Sequence, residues 1–134
     1  MKKLYDKRNA ALLCIMVAVF FGFTALTIDI GLVYTEGSKL SNALHSAALA
    51  ASFKLPGSEY KAKAAAIEYL KKNSVDTDDT IITIAKDGKS IEIEQTKTVK
   101  LLFAPLIGID SRHITVRSKA TISSVKKVME KLQF

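Results

Sequence analysis

Two histidines, one cysteine and no tryptophan leave this sequence of 134 residues short of the groups that most active sites are built from. Cys14 has no second cysteine to pair with inside the chain, so no intramolecular disulfide can form. It lies in an apolar stretch, where a small lipid-facing residue is the expected role; acylation or an intermolecular bridge are the alternatives. With His45 and His113 as the other soft ligands, the Cys/His spacing of a zinc site is absent. Neither a G-x-x-x-x-G-K-[ST] phosphate loop nor a G-x-G-x-x-G turn occurs, and no nucleophile elbow supports a serine triad. The expectation is a protein without catalytic residues, cofactor or metal. Aromatic residues are sparse at 7%, and they do not interleave with the lysines as a single-strand binder requires. The formal charge of +7 therefore reads as a solvated lysine-rich surface, with no nucleic-acid partner. Proline is scarce too: only Pro56 and Pro105 are present, so nothing of that kind interrupts the first 55 residues.

What the chain does have is one long uncharged run, residues 10–28 (AALLCIMVAVFFGFTALTI), between Arg8 and Asp29. As a helix it would reach about 28 Å, close to the ~30 Å hydrocarbon thickness of a bilayer. Residues 1–9 carry Lys2, Lys3, Lys7 and Arg8 against Asp6, and basic flanks stay on the cytoplasmic side. The expected organisation is a cytoplasmic N-terminus over 1–9, a transmembrane segment over 10–28, an extracytoplasmic continuation of the helix over 29–55, and a small extracytoplasmic domain over 56–134. A cleaved secretory signal is the competing reading. The run exceeds the usual signal h-region and no clear A-x-A site follows, which favours an uncleaved anchor.

Helical periodicity continues past Asp29. Leu26, Ile30, Val33, Gly37, Leu40, Leu44, Ala47 and Ala51 recur at alternating steps of four and three, while Thr35, Glu36, Ser38, Lys39, Ser41 and Asn42 fill the other side. One helix from about residue 8 to 53 is expected, with Gly31 and Gly37 as its weak points. Leu55-Pro56-Gly57-Ser58 breaks it, and Ser58 can cap a second helix ending near Asn73. Tyr60, Ala64, Ile67 and Leu70, flanked by Ala66, are its expected apolar face. The period then changes to two. Residues 80–86 and 90–95 flank the hairpin signal Asp87-Gly88, with Ile91 and Ile93 facing inward, and alternation can continue through Lys97, Val99 and Leu101. Residues 102–108 (LFAPLIG) read as a short apolar helix or turn ended by Gly108. A last strand over 114–122 places Ile114, Val116, Ala120 and Ile122 on one face. Val125, Val128, Met129 and Leu132 suit a short amphipathic C-terminal helix or a frayed end. The fold class is α+β: a long N-terminal helix, membrane-spanning in its first half, packed on a small antiparallel β-sheet head with a second helix.

Asp29 is the most pointed single residue, because an acid at the end of a span is either reaching water or seeking a partner charge at a helix contact. Beyond it, Ala43, Ala47, Ala50 and Ala51 form a small-residue surface that lets another backbone approach closely. That surface can face the protein's own sheet or a neighbour's helix, and both readings stand at this level.

Residues 25–52 resemble the N-terminal segment of TadE/TadG-like proteins of tight-adherence (Tad, Flp) pilus assembly. Those proteins show an apolar span, an acid-x-Gly step, then a helix near L-Q-N-A-A-D-A-A-A-L-A-A. Here the step is Asp29-Ile30-Gly31, and the helix reads Leu40-Ser41-Asn42-Ala43-Leu44-His45-Ser46-Ala47-Ala48-Leu49-Ala50-Ala51. Ser41, Leu44, His45 and Ser46 depart from the pattern, so the acid at the position of His45 is absent. The FAPLIG segment and an Ala-containing last strand are also similar to that family. The resemblance implies a structural membrane subunit, pilin-like or pseudopilin-like, with other pilus subunits or copies of itself as partners. Its helix contacts would be Asp29, Gly31, Leu40, Ala43, Leu44, Ala47, Ala50 and Ala51. A membrane-tethered binding or sensor domain unrelated to pili is the alternative.

Overall fold

The computed structural model describes residues 2–132. The expected helix is there and is longer at its start: α1 runs from Lys2 to Ser52, about 75 Å at 1.5 Å per residue. It passes through Gly31 and Gly37 without a break. An α1 of this length is sustained by two different environments. Residues 10–24, in its first half, are uncharged and exposed on every side, and its second half is amphipathic and carries the rest of the chain. By length and composition α1 is able to cross a membrane.

After the turn at 53–57, Ser58 takes extended backbone geometry and its hydroxyl accepts the Lys61 N–H at 3.2 Å, opening α2 (Glu59–Lys72). Asn73 closes it, its backbone N–H donating to the Leu70 carbonyl at 3.1 Å. A three-stranded antiparallel meander follows: β1 (Thr80–Ile84), β2 (Ser90–Lys100) and β3 (Ser111–Thr121), in the order β1-β2-β3. The Asp87-Gly88 signal forms the β1–β2 turn, Gly88 supplying a φ of 67° and the Asp87 carboxylate accepting the Lys89 N–H at 2.9 Å. Register pairs Ile82 with Ile93 and Ile84 with Ile91; Ile91 also pairs with Ala120. The chain closes on α3 (Ile122–Leu132), a helix where the periodicity placed one. Of the tail residues read from sequence, Gln133 and Phe134 lie outside the described residues.

The head has one core, and α1 is at its centre. Leu40, Leu44, Ala47, Ala48 and Ala51 of α1 meet Ala62, Ala66 and Leu70 of α2 and Ile91, Ile93 and Ala120 of the sheet. Ile82, Ile84, Ile114, Val116 and Ile122 close its edges. Strand alternation thus orients the sheet as its sequence implies. The face of α2 differs from expectation. Ala62, Ala66 and Leu70 are buried, whereas Tyr60 and Ala64 are exposed and Ile67 is half-buried. The reason is steric: a helix seated against Ala47, Ala48 and Ala51 comes close only along its own alanine row, and a tyrosine there would hold the two apart.

Leu44→Ala is expected to destabilise the head by about 2–5 kcal/mol and Ala66→Leu by about 1–3 kcal/mol through overpacking. Tyr60→Ala should change it by less than about 0.5 kcal/mol. Urea titration of the detergent-solubilised chain, followed by circular dichroism, checks the ranking.

Candidate functional site

The most constrained polar group in the molecule is the carboxylate expected to reach water or a neighbour. It does neither. Asp29 is 4% exposed and faces the loop between β2 and β3. Its Oδ1 accepts the Leu102 N–H at 2.8 Å, and its Oδ2 accepts those of Phe103 at 3.0 Å and Ala104 at 2.6 Å. These three successive amides open a single 3-10 turn, Ala104–Ile107, which has no capping side chain of its own. Pro105 stands in its first turn and Gly108 ends it at φ 88°. Such a turn leaves its leading N–H groups without local acceptors. Asp29 satisfies them from 73–75 residues earlier in the chain. Three charge-assisted bonds suit the ionised carboxylate and offset its removal from water.

A second strap lies two turns along α1. Lys97 of β2 reaches Glu36, which also takes Lys39 at 3.3 Å. The Glu36 carboxyl is held below its ordinary 4.5, first by the hydrogen bond from Lys97 and next by that from Lys39. Around Asp29, α1 and the loop border an open, mainly apolar groove of about 470 Å³. Leu26, Ile30 and Val33 line it on one side, and Leu101, Ile107 and Ile109 on the other.

The remaining residues singled out in the sequence divide into two groups. Leu40, Ala43, Leu44, Ala47 and Ala51 are buried inside this chain's own fold, so the alanine surface is occupied by α2 and the sheet. As Asp29 does, they meet partners within the chain. Gly31 and Ala50 are not enclosed: Gly31 is exposed with open space where a Cβ would stand, and Ala50 is half-buried. His45, at the position where the resembled pattern has an acid, is exposed, its Nδ1 3.5 Å from Ser118 Oγ. Sequence reasoning read residues 102–108 as a short apolar helix or turn ended by Gly108, as the structure has it, but did not find that the segment is the partner of Asp29. Its signal was present in the run of apolar residues around Pro105 with no N-cap side chain beside it. Among the described residues no cluster of three or more His, Cys, Asp or Glu is arranged to hold a metal ion.

Two outcomes test the straps. Asp29→Ala should leave the leading amides of the turn without acceptors and speed limited proteolysis at Leu102 and Phe103 several-fold. Asp29→Asn, which keeps one acceptor oxygen, should fall between. Cleavage rates read by mass spectrometry decide. For Glu36, a depressed folded-state value means that its contribution to stability is full above about pH 4.5 and is lost as pH falls through the lowered value. Glu36→Gln should therefore flatten the pH dependence of the unfolding midpoint over that acid range.

Compared with known proteins, residues 9–66 match the family model described as putative Flp pilus-assembly TadE/G-like. The match covers the apolar run, the Asp29 step, the buried alanines of α1 and the first half of α2, and stops before the sheet. No curated protein and no solved structure gives a match. Residues 9–66 are thus similar to the TadE/G-like Flp pilus-assembly family, and the three-stranded sheet lies beyond the match.

Proposed function

We propose that the protein is a structural, non-enzymatic, single-pass membrane subunit of a Tad/Flp-type pilus or its assembly apparatus, a minor pilin or pseudopilin in kind. One observation carries the reading. Within the match to the pilus-assembly family, α1 is a single uninterrupted helix whose apolar run is exposed over residues 10–24 and whose other half is the spine of a head. Residues 10–28 are the membrane segment, with residues 1–9 cytoplasmic and the head extracytoplasmic, as the basic flank favours.

The contact with neighbouring subunits runs along the side of α1 that the head leaves uncovered. Gly31, Thr35, Ser38, Asn42 and Ser46 recur at helical spacing and are all exposed. Gly31 lets a second helix approach closely there. Asp29, Leu40, Ala43, Leu44, Ala47 and Ala51 serve assembly indirectly by fixing the head to the opposite side, with Ala50 at the border. The partners are other pilus subunits or further copies of this chain.

In a Cys14→Ser background, single cysteines at Thr35, Ser38 and Asn42 should give oxidative cross-links in cells to a second copy or another pilus component. A cysteine at Tyr60 should not. A correctly inserted protein that yields no cross-link at any of the three contradicts assembly through α1. Orientation is checked with a membrane-impermeant thiol reagent: Ser38→Cys should label from outside intact cells and Lys3→Cys should not. The reverse pattern refutes the topology.

A further inference from the structure

The β2–β3 connection is built backwards for a surface loop. Residues 101–110 read LLFAPLIGID, and Leu106 is 86% exposed, Ile107 68% and Leu102 65%, with Phe103 and Ile109 beside them. Connections are ordinarily polar where they meet water, and contiguous apolar exposure marks an interaction site. Most amide N–H groups of this one are paired within the chain. Asp29 takes the amides of Leu102, Phe103 and Ala104. Leu101 donates to Asp110, Leu106 to Phe103, Gly108 to Pro105 and Ile109 to Ala104, and Pro105 has no N–H to place. Paired amides with outward-facing apolar side chains are what a segment needs in order to enter a medium that cannot hydrogen-bond.

The loop's position says which medium. It is fastened to Asp29, the residue directly after the apolar run, and shares a groove with Leu26, which lies inside that run. The loop tip is therefore level with the last turn of the membrane segment. A bilayer that surrounds residues 10–28 has its outer boundary at that height. Lys100 and Arg112, both exposed, stand at the two strand ends above the tip, along with Asp110. Long basic side chains at that level can carry their charges to lipid headgroups.

We infer that the 101–110 loop is a second membrane anchor: Leu102, Phe103, Leu106 and Ile107 dip into the outer leaflet of the bilayer that α1 crosses, and hold the head against its surface. This rests on the proposed span at residues 10–28. The loop gives the subunit a second point of attachment, so the head neither tilts away nor lifts from the membrane while the subunit waits there.

The absence of native tryptophan allows a direct test. The full chain carrying Leu106→Trp, Val19→Trp or Tyr60→Trp is reconstituted in phosphatidylcholine/phosphatidylglycerol vesicles. Each sole tryptophan is then quenched with aqueous acrylamide and with lipids brominated on the acyl chain. Val19→Trp should be quenched by bromine deep in the chain, which verifies the span. Tyr60→Trp should be quenched by acrylamide alone. Leu106→Trp should emit to the blue of Tyr60→Trp, resist acrylamide and respond to bromine placed near the headgroup. If Val19→Trp responds to bromolipid while Leu106→Trp responds only to acrylamide, the loop is in water and the inference fails with the span intact. If Leu106→Trp is shielded from both quenchers, protein covers the loop and the lipid assignment is overturned. If Val19→Trp ignores bromolipid, the span and the inference fall together.

Discussion

The arrangement depends on one carboxylate. Asp29 closes a helix of 51 residues against a loop some seventy positions away by accepting three consecutive backbone amides. Either partner alone would be unfavourable. A carboxylate beside an apolar run is costly to remove from water, and the leading amides of an uncapped 3-10 turn are costly to leave without acceptors. Together they remove both costs, and the apolar side chains of the loop are left to point outward. A salt bridge could have fastened the loop more simply, but it would have required a cation among Leu102, Phe103 and Ala104. Backbone donors achieve the same attachment while the segment stays uncharged.

Around that junction α1 has two roles. Beyond it, Leu40, Leu44, Ala47, Ala48 and Ala51 are as much part of the head's core as Ile91 and Ile93 are. The head is therefore not a separate body on a stalk, and residues 29–55 belong to it energetically. The consequence for function is geometric. With Asp29 and the Glu36–Lys97 pair fixing the rotation of the head about the helix, the opposite side of α1 stays open along Gly31, Thr35, Ser38, Asn42 and Ser46. A subunit assembled through its helix needs such a side, and Leu40 and the buried alanines guarantee it by keeping the head elsewhere.

Local features were legible in the sequence, and long-range ones were not. The extent of α1 followed from its uninterrupted period and the lack of proline, the α2 cap from Ser58, the hairpin from Asp87-Gly88, and the sheet's inward face from Ile91, Ile93, Ile114 and Val116. The α2 face was misread because hydrophobicity ranks Tyr60 and Ile67 above Ala62, whereas close helix approach selects the alanines. Asp29 stood out, but its partner could not be read. Backbone amides carry no sequence signature, and an acid at the end of a span looks the same whether its acceptor capacity is met by water, a neighbour or its own chain. The family match reaches residue 66, so it contains the acid and stops before the amides that hold it.

Asp29 locks the β2–β3 loop to the end of the apolar run of α1. Residue-resolved hydrogen exchange of the unmodified chain in lipid bicelles tests it most directly. The amides of Leu102, Phe103 and Ala104 should be protected about as strongly as those in the β2–β3 ladder, far more than the amides of Lys86 and Asp87 in the exposed hairpin. Exchange at 102–104 as fast as in that hairpin would mean that the carboxylate does not hold the loop, and would contradict the account.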